Sequence, residues 1–145
     1  MLNKIDIKMI DGFGYGPNDE VNFDQIPLID GNPISLKGKF TNQTITHSGG
    51  TLNVDLDNGR IISVLLEGNS DGLSLSGIQT VDQFSIILEQ DSTGGRTFNW
   101  PSNFLWQHGV ELSLSEDPNV KDVFQCFTVD GGNEWFVTLI GAEFS

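Results

Sequence analysis

From residue 51 onward, short runs whose apolar side chains recur every second residue alternate with turn residues, and no eleven-residue window carries them at helical spacing. Leu52, Val54 and Leu56 alternate with Asn53, Asp55 and Asp57, and Phe84, Ile86 and Leu88 alternate with Ser85, Ile87 and Glu89. Phe98 and Trp100 alternate before Pro101 ends their run, and Phe124–Val129 and Glu134–Ile140 flank Asp130-Gly131-Gly132-Asn133. That last arrangement predicts a hairpin, because glycine takes positive φ without steric cost. Asn58-Gly59 predicts a second, two-residue hairpin. The return run Arg60–Glu67 is apolar on both faces, as a strand sandwiched between layers should be. A strand is also predicted over Leu73–Ile78, after the Asp71-Gly72 turn. Short strands at spacings of roughly 8–12 residues predict an all-β fold, an antiparallel sandwich of jelly-roll type.

The first 47 residues read differently. Ile5, Ile7 and Met9 alternate with Lys4, Asp6 and Lys8, which predicts one short amphipathic strand. Residues 11–35 are rich in Gly, Pro, Asn and Asp and hold only brief apolar pieces. A compact domain rarely carries so long an irregular stretch, so it is expected to form an extended N-terminal arm. The expected division is an arm over 1–47 and a sandwich over 48–145. No secretory signal and no run of about 20 apolar residues is expected from the sequence, so no membrane partner is expected.

Charge narrows the partners. Seven basic residues against 20 acidic ones leave a net charge of −13. Nucleic-acid binding works through basic side chains that release phosphate counterions, so no nucleic-acid partner is expected. Anionic membrane surfaces are disfavoured for the same reason. A single cysteine, Cys126, lies in an apolar run and is expected to be a buried thiol.

No constellation predicts catalysis, a cofactor or a bound metal. Asp55-Leu56-Asp57-Asn58-Gly59 superficially resembles a calcium loop, but its glycine comes one residue early and Leu65 stands where the closing glutamate belongs. Glu116, Asp117 and Asp122, or Asp130 with Glu134, would need the fold to bring them together. Glu134 beside Trp135 is the best candidate for glycosidase chemistry and has no identifiable second carboxyl. His47 and His108 neighbour no nucleophile. Gly94-Gly95 and Gly131-Gly132 do not link a strand to a helix, so neither predicts a phosphate loop.

The residues expected to make contacts are aromatic, with one cation. Trp100, Trp106 and Trp135 either fill the core or offer indole faces to a sugar, and Trp106, beyond the bend at Pro101, is expected to be the most exposed. Arg96 follows the Thr93-Gly94-Gly95 turn and is expected to pair with a carboxylate, across the hairpin or at a subunit contact.

The order of a hydrophobic strand, Thr93-Gly94-Gly95-Arg96-Thr97, Trp100-Pro101, Trp106, Asp122-Val123-Phe124 and Asp130-Gly131-Gly132 followed by Trp135 resembles a β-domain that recurs in virion proteins of tailed bacteriophages. Tail fibres and capsid decoration proteins carry it. The resemblance covers residues 50–145 and implies a virion location and a structural, non-enzymatic role. With the short, acidic chain, it implies a capsid-decorating or fibre-type protein that assembles as a homo-oligomer. A trimer is expected, since three-fold closure suits a fibre or a capsid position. Major capsid or tail proteins are the implied partners. The alternative it leaves is a carbohydrate-binding receptor module that stacks Trp100 or Trp106 on host glycan.

Overall fold

The computed structural model describes residues 41–145 in full, with the backbone of two short strands upstream. The chain forms two compact units, Met1–Ser35 and Leu36–Ser145. Within the first, β1 (Leu28–Ile29) and β2 (Asn32–Pro33) pair antiparallel. The amphipathic strand expected near residues 4–9 and the rest of the expected arm up to residue 40 lie outside the described residues. Asn42–His47, which the sequence reading groups with the arm, forms β3 of the second unit.

The second unit continues with β4 (Gly50–Asp55), β5 (Ile61–Leu66), β6 (Ser70–Ser76), β7 (Asp82–Gln90), β8 (Phe104–Trp106), β9 (Lys121–Thr128) and β10 (Trp135–Phe144). The all-β class stands; strand direction departs from the antiparallel, jelly-roll expectation. A six-stranded sheet has the order β3-β5-β7-β9-β10-β8, and β4 and β6 form a second sheet. From β3 to β7 the chain alternates between the two sheets, so each strand pairs in parallel with the next but one. Asn42 registers with Ile61, Leu52 with Leu73 and Ile62 with Ile86. This half is coiled like a short solenoid. The remainder is antiparallel, β7 to β9 and β9 to β10, with β8 parallel to β10 at the edge.

The expected hairpin at Asn58-Gly59 is therefore a corner between sheets. Leu56–Asn58 forms a 3-10 turn, and the Asp55 side chain accepts from the Asp57 amide at 3.0 Å. Gly59 has φ 148°, and a Cβ there would collide with the Thr41 carbonyl. Only glycine lets the chain turn the corner against that backbone. Leu52 and Val54 of β4 thus share one core with Ile62, Val64 and Leu66 of β5, facing them across the layers.

The expected strand at Phe98–Trp100 is reduced to one bridge, Ser70 to Phe98. Its backbone bonds only the start of β6: Ser70 N–H donates to Thr97 at 2.9 Å and Asn99 N–H to Ser70 at 3.0 Å. Pro101 then removes the next donor. Burial of both rings places this segment (Phe98 6 % and Trp100 8 % exposed).

The β9–β10 hairpin forms as expected. Gly131 and Gly132 take φ 75° and 86°. The Thr128 hydroxyl donates to Asp130 at 2.8 Å and accepts from the Gly132 amide at 3.0 Å, locking the turn from its side chains.

Candidate functional site

The three tryptophans converge on one aromatic layer. Trp135 is fully buried at the start of β10, edge-on to Phe84 at 5.0 Å and stacked with Phe104 at 5.9 Å. Trp100 meets Phe98, Trp106 and Phe124 in edge-to-face contacts at 4.9, 5.3 and 5.2 Å. Such geometry suits the ring quadrupoles and adds to the area buried. Trp106 is half-buried and packs against this core. It is the most exposed of the three, yet its indole N–H is covered and finds no acceptor, as is that of Trp100. The structure brings the aromatic residues together as core.

Arg96 is held locally. Its guanidinium donates twice to one oxygen of Asp91, at 2.7 and 3.2 Å. Those hydrogen bonds, with the Gly94 and Thr93 amides, hold the Asp91 carboxyl below the usual carboxylate range. Buried Gln90 fastens the same loop: its amide donates to the Arg96 and Ser115 carbonyls, both at 2.9 Å, and accepts from the Arg96 N–H at 2.8 Å. Beside it, Arg96, Asn99, Glu111 and Leu112 help line a shallow cleft of about 300 Å³.

Sequence reasoning missed a buried ion pair. Arg60, after the Gly59 corner, forks onto Asp82 at the start of β7 with contacts of 2.6 and 3.0 Å and donates to the Leu56 carbonyl at 2.9 Å. Asp82 also accepts from the Gln79 and Gln83 amides at 2.9 and 2.8 Å. Burial pushes this carboxyl upward, but Arg60 and the two amides outweigh it and hold the group below its ordinary value. The signal available was an arginine with a carboxylate 22 residues on, about one coil of the chain away.

Of the acids considered for calcium, Asp122 and Asp130 are engaged in hydrogen bonds, and Glu116 and Asp117 are exposed. Asp122 accepts from the Ser115 amide and hydroxyl at 2.6 and 2.7 Å and from the Glu143 amide at 3.1 Å. The Glu134 amide donates to Asp130, the chief reason that this carboxyl is held low, while Glu134 itself is exposed. Among the described residues, no three His, Cys, Asp or Glu side chains are grouped to hold a metal ion. Each carboxyl with a resolved shift is held more acidic, the opposite of what a general acid needs.

The remaining feature is the outward face of the six-stranded sheet. Phe127 and Phe136 are register partners whose rings stack at 5.0 Å, and Leu105 continues their row on β8. All three are exposed, at 43, 40 and 37 %. The next row carries Ile61, Ser85, Gln125 and Thr138, with a Ser85–Gln125 hydrogen bond of 2.8 Å. Sequence reasoning missed this face because Phe127 and Phe136 sit in runs that read as core; only their parity, opposite to Phe124 and Trp135, marks them as outward.

In comparisons with known proteins, no curated protein and no solved structure matches. One family model does, described as "Putative phage tail fibre C-terminal domain", over residues 51–134. The matched span runs from β4 through the parallel coils, the aromatic layer and β9 to the turn before Trp135. It takes in more than half of the chain and overlaps the resemblance to phage virion β-domains. The chain belongs to this phage tail fibre family and thereby to the structural proteins of the phage virion.

Proposed function

We propose that this protein is a fibre-type component of a tailed-phage virion that works by homo-oligomeric assembly, with three copies around one axis, and joins other tail proteins in the host cytoplasm. The observation that carries the reading is the family match over residues 51–134. Of the two placements expected, capsid-decorating and fibre-type, that match favours the second. An all-β unit with a continuous aromatic core suits a passive, rigid part, and its charged surface keeps separate particles apart.

The carbohydrate-binding alternative needs a stacking platform. Trp100 and Trp135 are buried and Trp106 is half-buried, so these indoles favour assembly over host-glycan recognition. The solution mass of the full chain, measured by light scattering, tests the proposal. A mass near ~48 kDa, three times the 15.9 kDa of one chain, is expected. A single-chain mass at every concentration would overturn it.

A further inference from the structure

We infer that the outward face of the six-stranded sheet is the surface through which copies of this chain meet, an inference that rests on the assembly reading above. Its charge is the first argument. The chain has 20 acidic residues, yet the outward positions of β3, β5, β7, β8 and β9, and of β10 as far as Thr138, carry one, Glu89, bound to Lys121 at 3.6 Å. In a molecule of net charge −13, two copies repel across almost any other surface. Here neutral side chains meet neutral side chains, and the single charged pair offers both signs, so the face complements itself. A basic partner would instead dock where the carboxylates are.

Size is the second argument. Strands about 4.8 Å apart, rising about 3.3 Å per residue, make six strands a face of roughly 600–700 Å² in projection. A stable interface covers about 800 Å² of accessible surface per partner. Exposed Phe127, Phe136 and Leu105 supply the apolar anchor, since an aromatic cluster of this kind is what interface centres are enriched in. A face that meets itself whole closes a two-fold pair; turned to a three-fold axis, each copy lays one part of it on one neighbour and another part on the next, and the occupant in either case is another copy.

The test is light scattering of the full chain across a concentration series, for the wild type and Thr138→Arg. Thr138 is exposed within the face, outside the core, so the substitution adds like charges where copies meet. Wild type is expected above the single-chain mass. Thr138→Arg is expected to fall to 15.9 kDa while still melting as a cooperatively folded chain, at a temperature below the wild type's that no longer rises with concentration, its dissociation constant raised roughly a hundredfold, about 2.7 kcal/mol. Salt should tighten the wild-type assembly by screening the repulsion, where an oppositely charged partner would be released. A folded variant that keeps the wild-type mass overturns the face and leaves the assembly reading standing. A wild type of single-chain mass overturns the assembly reading itself, and the face with it. If Thr138→Arg fails to fold, Gln83→Arg, exposed at the end of the Phe127 row, decides between the same outcomes.

Discussion

Replacing Asp82 with asparagine tests the ion pair that ties the first corner to the central strand. Each carboxylate oxygen accepts two donors: Oδ1 from Arg60 Nε and the Gln83 amide, Oδ2 from an Arg60 terminal nitrogen and the Gln79 amide. An asparagine amide turned either way points its NH₂ at two of those donors. The substitution also leaves the Arg60 guanidinium buried without its counter-charge (side-chain exposures 7 and 4 %). Breaking one side of such a pair costs about 3–5 kcal/mol, a large part of the roughly 5–15 kcal/mol that holds a domain folded. With a urea slope of about 1.5 kcal/mol per molar, the unfolding midpoint should drop by about 2–3 M. Tryptophan emission reports it, because buried Trp135 is exposed on unfolding; both proteins are compared at one concentration. Acid supplies the second arm. The folded pKa of Asp82 lies below its unfolded value of about 3.9, so its stabilisation is complete above that value and is lost as pH falls through the folded one. The gap between wild type and Asp82→Asn should be constant from neutrality to about pH 5 and close in stronger acid. A gap under about 1 kcal/mol at neutral pH, or one that persists undiminished in acid, refutes the argument.

Two other substitutions or reactions read the core. Trp135→Ala removes the ring that Phe84 and Phe104 pack on and should destabilise the protein by about 3–5 kcal/mol, enough to leave little soluble folded chain; an unchanged melting temperature would show that the ring is not core. Burial pushes the Cys126 thiol well above its ordinary pKa, so it should stay unreactive to a thiol reagent near neutral pH and react fully only in denaturant, and fast native labelling would contradict its place inside β9.

The strands of this fold were more legible than their partners. Period-two alternation gives each run two faces, and it identified β7, β9 and β10 because Phe84, Phe124 and Trp135 mark the buried side. It does not say which strand lies alongside which. Asn58-Gly59 has hairpin chemistry, yet β4 lies in the other sheet from β5, and Leu52 and Val54 bury in the core that the two sheets share. Phe98 and Trp100 read as a strand because their side chains alternate, while the backbone found only Ser70 to pair with. At the candidate site, Arg96 pairs with Asp91 from five residues away in its own loop, where the expectation was a carboxylate across the hairpin or at a subunit contact. The exposed ladder of Leu105, Phe136 and Phe127 stayed hidden because an aromatic residue in an apolar run looks the same whichever side it faces.

Sheet order also sets how much chain must fold together. β10 lies between β9 and β8, and β5 lies between β3 and β7. The span of family likeness, residues 51–134, holds β5 and β8 but neither β3 nor β10. Cut at those limits, β8 would lose its only neighbour in the sheet and β5 would offer a bare row of backbone donors and acceptors to any passing strand. The smallest piece of the second unit that keeps all its strands paired as described runs from Asn42 to Phe144, past the span of family likeness at both ends.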